Sequence, residues 1–328
     1  MNTFTRRHLI ALSAATALLA LDAITTASAQ AQAFPAKSIK MVVPIAPGGS
    51  TDVTSRHLAA AMSSIIGQPV VVENKPGVAG GLGINGVARS DPDGYTIGIS
   101  GVGPTITLNL TGAYTQYIAL RDLAFIAHMN VTELVMLTRR ESPISGVKDL
   151  IAAAKSRPVT MGNSGTFGPV HLANALLCQM TSIECIHVPY KGDSLIIQDL
   201  LGGQIDAGSV SVASSVGLIR SGQMKSIAML GATRSAVFSD LPTAAEQGLA
   251  GYEASLFQIV VAPAKTPAPV IARLNDVINQ ALSTSKMRDE YAKLGSVPTG
   301  GSPKDAADFV ARETAKWAKV LQQLGPEK

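Results

Sequence analysis

Short apolar runs alternate with longer stretches in which apolar residues recur at helical spacing. The strand-like runs are "IKMVVPI", "VVVEN", "YTIGIS", "LAFIAHM", "LVMLTR", "VTMGNS", "CIHVPY", "QIDAGSV", "SIAMLG" and "FQIVVAP". Helical periodicity covers 51–66, 79–89, 147–155, 169–180, 193–202, 211–221, 268–283 and 303–324. The order is that of repeated βαβ units and predicts a parallel α/β fold. In the last helix Ala306, Phe309, Val310, Trp317, Val320, Leu321 and Leu324 fall on one face. That spacing predicts a packing helix with Trp317 in the core.

The N-terminus departs from this rhythm. Arg6 and Arg7 precede "HLIALSAATALLALDAITTASA", a charged start, an apolar run and a small-residue end. This pattern predicts a secretory signal peptide over 1–29, cleaved before Gln30 at Ala27-Ser28-Ala29, with cleavage after Ala33 as the alternative. "TRRHLIA" also resembles a twin-arginine signal. An uncleaved anchor is disfavoured, because the run is short for a span and Asp22 interrupts it. No later segment has 18 uncharged apolar residues, so the mature chain is expected to be soluble and periplasmic.

Composition narrows the partners. The chain of 328 residues carries a formal charge of +4, or +3 once Arg6, Arg7 and Asp22 leave with the signal. No run of basic residues is interleaved with aromatics, which argues against nucleic acid. About 300 residues predict two lobes rather than one small core. The two cysteines, Cys178 and Cys185, lack metal-type spacing. In an exported chain they can pair. Two buried thiols are the alternative.

Two turns carry the candidate chemistry. In "MVVPIAPGGSTDVTSRHLAAAM" a strand runs into Pro47-Gly48-Gly49 and then a helix with Ser50 and Thr51 at its start. A helix start after a Gly-rich turn presents free N–H groups and partial positive charge to an anion. A distant echo, "GNSGTFGPVHLANALL", again reads strand, turn and helix. Both helices contain His-Leu-Ala, at His57 and His171. Each lobe could thus supply one anion-binding helix end. "GGLGING" formally matches G-x-G-x-x-G, but "NKPG" separates it from its strand, so a nucleotide site is not expected.

Seven phrases in order, "VPIAPGGSTDVTSR", "VVVENKPGVAGGLGINGVARSDPDGYTI", "GNSGTFGPVHLANALL", "IHVPYKG", "DLLGGQIDAG", "LPTAAEQGLAGYE" and "APAKTPAPVIARLN", cover nearly the whole mature chain. Together they resemble the Bug-type receptors, the periplasmic solute-binding proteins of tripartite tricarboxylate transporters. The resemblance implies a type II periplasmic-binding-protein fold, two α/β lobes joined by crossing strands with a ligand cleft between them. Lobe 1 would comprise 30–127 and 253–328, and lobe 2 would comprise 128–252. It implies a receptor that captures a small organic acid and passes it to integral membrane transporter subunits. No enzyme activity, cofactor or metal is expected, and the protein should be a monomer.

By the same resemblance one ligand carboxylate is held by two loops. The first is Pro47, Gly48, Gly49, Ser50, Thr51 and Asp52. The second is Gly162, Asn163, Ser164, Gly165 and Thr166. Asp52 would repel an anion, so it is expected to brace its loop or hold a bridging water. His171 is placed with the ligand site, packing or hydrogen-bonding below its loop, with direct ligand contact as the alternative. Departures from the family pattern also inform the ligand. Val210 stands where an acidic partner for a ligand amine is often found, Phe257 where an aromatic is expected, and Gly101, Val102 and Gly103 replace a more polar loop. They predict a carboxylate with an apolar or aromatic body, or a small dicarboxylate, over an amino acid. Two rival functions remain. One is a periplasmic sensor using the same site. The other is a hydrolase using Ser50 or Ser164 with His57 or His171, although neither serine lies in G-x-S-x-G.

Overall fold

Val, Ile and Met in runs of five to ten residues form strands because both faces of each sheet are covered by helices. A computed structural model describes residues 34–324. The expected signal peptide over 1–29 and both expected cleavage sites lie outside the described residues, and Phe34–Ala36 are grouped with the N-terminal unit Met1–Ala36. From Lys37 onward the chain forms one compact unit.

That unit contains two sheets. The first has the order β11-β4-β10-β3-β1-β2. Its strands are β1 (Ile39–Val43), β2 (Val70–Asn74), β3 (Thr96–Gly101), β4 (Leu123–Thr132), β10 (Leu256–Pro263) and β11 (Ser296–Gly300). The second has the order β7-β6-β8-β5-β9. Its strands are β5 (Leu134–Arg139), β6 (Val159–Ser164), β7 (Cys185–Tyr190), β8 (Ala207–Ser211) and β9 (Met224–Met229). Read from β2 and from β7, the first five strands of the two orders correspond, and β11 has no counterpart in the second sheet. β1 matches β6, β3 matches β8, and the incoming strand β10 matches β5.

The expected all-parallel sheets are in fact mixed. β1 pairs in parallel with β2 and β3, but β10 is antiparallel to both β3 and β4. β6 is parallel to β7 and β8, whereas β5 is antiparallel to β8 and β9. The reason is the crossing. A strand arriving from the other sheet enters from the opposite end and can pair only antiparallel to its new neighbour. The expected lobe change after residue 127 would cut β4. Pairing with β10 and β11 keeps β4 in the first sheet to Thr132. The chain therefore changes sheet at Glu133, whose N–H donates to Gly295 C=O and whose C=O accepts from Val212 N–H.

The helices follow the periodicity closely. They include Ser50–Ile66, Gly81–Ala88, Pro169–Thr181, Asp193–Leu201, Val212–Arg220, Ala268–Leu282 and Pro303–Leu324. In the last of these Ala306, Val310, Trp317 and Val320 are buried, and Trp317 Nε1–H donates to Glu313 at 2.8 Å. Cys178, near the end of Pro169–Thr181, is joined by a disulfide to Cys185 at the start of β7. No helix among the described residues is long and apolar enough to cross a membrane.

Candidate functional site

In open α/β sheets ligands collect beyond the carboxyl ends of strands, where successive connections diverge to opposite sides. Here β1 lies between β2 and β3, and β6 lies between β7 and β8. Both switch points feed helices, Ser50–Ile66 after β1 and Pro169–Thr181 after β6. The two Gly-rich turns are therefore topological equivalents.

Their local chemistry matches position by position when the helix starts are superposed. Gly49 and Gly168 are the N-caps, both extended, and no side chain caps either helix. One residue earlier, Gly48 and Phe167 are both left-handed, with φ of 92° and 52°. Three residues after the cap, Asp52 and His171 each reach back. Gly48 N–H donates to Asp52 Oδ2 at 2.9 Å, and Phe167 N–H donates to His171 Nδ1 at 2.9 Å. Each bond closes the turn as a variant of the capping box. The shared His-Leu-Ala is a different matter. His171 is the third residue of its helix and His57 the eighth. The two histidines are not equivalent, and only the turns echo.

Asp52 is buried at 2% exposure. Burial raises its pKa, but hydrogen bonds from Arg56, Gly48 and Asn74 outweigh that and hold it below the ordinary value. Arg56 Nε lies 3.0 Å and Asn74 Nδ2 2.8 Å from its two oxygens. Its charge is thus neutralised behind the turn. His171 is held neutral, its pKa pushed down to about 4 by burial and by the neighbouring His187. The two imidazole centroids are 4.5 Å apart.

Between the turns lies a cavity of about 480 Å³. Ser50 and Thr51 line it from the first turn. Thr166, Phe167, Gly168 and Pro169 line it from the second. The remaining walls come from Pro44 and Ile45, from Ala79 and Gly80, from the end of β3 through Pro104, from Thr107 to Ala113, and from Leu256, Phe257 and Gln258. None of the described lining residues is ionisable. Pro104 is fixed by Tyr117, whose O–H donates to its carbonyl. Gln258 crosses under the first turn, its Nε2 3.2 Å from Thr51 Oγ1.

Several expected site residues do not line the cavity. Pro47, Gly48 and Gly49 are exposed and do not line the cavity. Gly48 N–H is engaged by Asp52. Gly162 is a packing glycine, since a Cβ there would come within 2.7 Å of Ile205. Asn163 is buried and donates to Gly165 C=O at 2.9 Å, and Ser164 ends β6. Gly165 N–H donates to Tyr190 C=O. His171 shapes the wall through Phe167 rather than lining it. Phe167, Pro169, Leu108 and Gln258 were missed in the sequence because nothing local distinguishes them from turn or core residues. The cap position of Gly168 was the one available signal. Among the described residues no cluster of three or more His, Cys, Asp or Glu side chains could hold a metal ion.

Two lobes of this topology, with a cavity between equivalent helix starts, define a periplasmic-type binding protein. A family profile described as tripartite tricarboxylate transporter family receptor matches residues 54–326. The chain belongs to that family of solute-binding receptors. It is 34% identical to protein BugT of Bordetella pertussis over 94% of this chain and 98% of that one. Its fold is similar to R. palustris Rpa4515 with adipate (TM-score 0.75, 31% identity, 88% of this chain and 97% of that one). It is also similar to MatC of Rhodopseudomonas palustris with bound malate (TM-score 0.73, 27% identity, 88% and 99%).

Proposed function

We propose that this receptor captures a small organic acid in the periplasm and delivers it to the integral membrane subunits of a tripartite tricarboxylate-type transporter. It acts as a monomer, without cofactor or catalysis, after export by its N-terminal signal. The observation that carries this reading is the meeting of two equivalent helix starts, Ser50-Thr51 and Gly168-Pro169, at one cavity. A carboxylate at a helix N-terminus gains roughly 0.3–1 kcal/mol, or about 2 where partly buried. Each hydrogen bond to its charge adds roughly 1.5–3 kcal/mol. The adipate and malate of the two similar structures are carboxylates, which supports the same class here. We read the two sheets with their helices as the two lobes, closing over the ligand by a hinge at Glu133 and at the return between Met229 and Leu256.

The hydrolase alternative is not favoured by the geometry, because neither His57 nor His171 lines the cavity. His171 Nδ1 is occupied by Phe167 N–H, and His57 Nε2 lies 3.9 Å from Glu290. Thermal unfolding with a panel of organic acids tests the receptor reading. Saturation at about 100 times Kd should add about 2.7 kcal/mol of stability. No stabilisation by any acid, with none retained in native mass spectrometry, would overturn it.

A further inference from the structure

Two buried amides face each other inside the first sheet. Asn130 on β4 stands directly opposite Gln258 on β10. The register shifts immediately beyond this pair, since Ile259 is opposite His128 and Met129 is passed over. A bulge of this kind re-aims the side chains beside it. His128 packs against Phe257 and Phe309. Asn130, as the direct partner of Gln258, shares its face of the sheet. On that face Gln258 Nε2 lies 3.2 Å from Thr51 Oγ1, at the start of the helix Ser50–Ile66.

Asn130 is fully buried at 0% exposure, yet neither its Nδ2 nor its Oδ1 reaches a partner among the described residues. Gln258 Oε1 is also buried and unpartnered. Directly opposed side chains on antiparallel strands have Cβ atoms about 5 Å apart. One donor and two acceptors are therefore enclosed together. Buried polar groups in this position are satisfied by internal water, which makes about three hydrogen bonds. The sense of the Gln258 amide has a consequence at the cavity. With Nε2 on Thr51 Oγ1, the amide fills a lone pair of that hydroxyl and leaves its proton free to face the cavity that Thr51 lines. Turned by half a rotation, the amide would present Oε1 instead, and the Thr51 proton would point back into the wall.

We propose that Asn130 and Gln258 form a buried water site, and that this site sets which way the Thr51 hydroxyl points. One water accepts from Asn130 Nδ2 and donates to Gln258 Oε1, so the amide is fixed with Nε2 toward Thr51. A second water of the same site donates to Asn130 Oδ1. Thr51 is thereby kept as a donor to acceptor groups in the cavity. Asn130 acts as a positioning residue, because it reaches the cavity only through Gln258 and Thr51. The water site stands independently, whereas its effect on Thr51 rests on the receptor reading above.

A neutron or atomic-resolution crystal structure of the receptor tests the site directly. It should show water within hydrogen-bond reach of both Asn130 and Gln258 Oε1. A reversed Gln258 amide bonded directly to Asn130, with no water between them, would overturn the proposal. Titration calorimetry with acetate, malate, adipate and benzoate tests the effect on Thr51. For whichever of these binds most tightly, Asn130→Leu should weaken affinity at least about tenfold, the loss of one hydrogen bond to a charged group. In a Thr51→Val background the same change should have little further effect, because the hydroxyl it orients is gone. Gln258→Leu should give the same pattern if Asn130→Leu does not fold. Equal weakening in both backgrounds would assign Asn130 to the fold alone and overturn its positioning role, as would an affinity unchanged by Asn130→Leu. Binding by none of the four acids would overturn the effect on Thr51, while the water site is decided by the crystal structure.

Discussion

At the scale of single residues, the site is organised by what lies three positions into each helix. Asp52 and His171 differ in chemistry yet perform the same task, accepting the N–H of the left-handed residue before the cap. Asp52→Ala would leave Gly48 N–H and the Asn74 amide without their acceptor and release Arg56. The expected loss is about 1–3 kcal/mol in denaturant unfolding at pH 7. Ligand dissociation should quicken as the turn loosens. The bracing role of Asp52 is legible in sequence, because an acid in the first turn of a helix after Gly-Gly has few other partners. The role of His171 is not legible. Matching His-Leu-Ala by identity pairs it with His57, and only the helix start, a three-dimensional fact, pairs it with Asp52. Phe167 was hidden for a related reason. Nothing in "SGTFGP" announces that the Phe is left-handed and faces a cavity.

At the scale of elements, hydrophobic periodicity located ten strands and eight long helices. It missed β11, the helix Ser285–Ala292 and the short helical segments Gly103–Thr107, Leu108–Thr111 and Ala119–Asp122. "SVPTG" contains Pro and Gly, which read as turn, and it is accommodated as an edge strand. "SKMRDEYA" buries only Met287 and Tyr291 and shows no apolar stripe. Both are stabilised by tertiary neighbours, as when Tyr291 O–H donates to Thr54 C=O at 3.0 Å. The helix Pro169–Thr181 is anchored at its far end by the disulfide, which spans a sequence separation of 7. Replacing both cysteines by serine should cost roughly 2–3 kcal/mol in denaturant unfolding, from loop entropy restored to the unfolded chain. Ligand affinity should be little changed, because the bond closes the end of the helix remote from Gly168.

At the scale of the whole molecule, buried titratable groups divide acid sensitivity into two windows. Burial lowers the pKa of His128, His171 and His187, the first two to about 4. The unfolded chain takes up these protons near pH 6.5, where the native state does not. Stability is therefore full above about pH 6.5 and falls as pH drops toward 4, by on the order of a few kcal/mol in all. A second loss follows from Asp206. Its hydrogen bonds from Arg157, and then from Thr160, outweigh burial and hold its pKa at about 2. Its contribution is present above about pH 4 and disappears as pH falls toward 2. Melting temperature measured from pH 8 to pH 2 should decline in both windows, and Asp206→Asn should remove part of the lower decline only. A single transition confined below pH 4 would contradict the histidine assignment.

The sequence by itself determined most of the elements, the two Gly-rich turns before helices and the family, because these rest on local periodicity, cap chemistry and ordered motifs. Tertiary structure alone decided which residues line the cavity. Antiparallel pairing of β10 and β5 follows from the direction in which a crossing strand arrives. The cavity wall follows from which side of each turn that pairing brings to the cleft. Hydrophobic pattern encodes burial and cannot distinguish a core from a cavity lined by the same side chains. For that reason Thr51, Thr166 and Phe167 came together only in the folded chain, while Gly162 packs against Ile205 and Asn163 bonds to Gly165 C=O without lining the cavity.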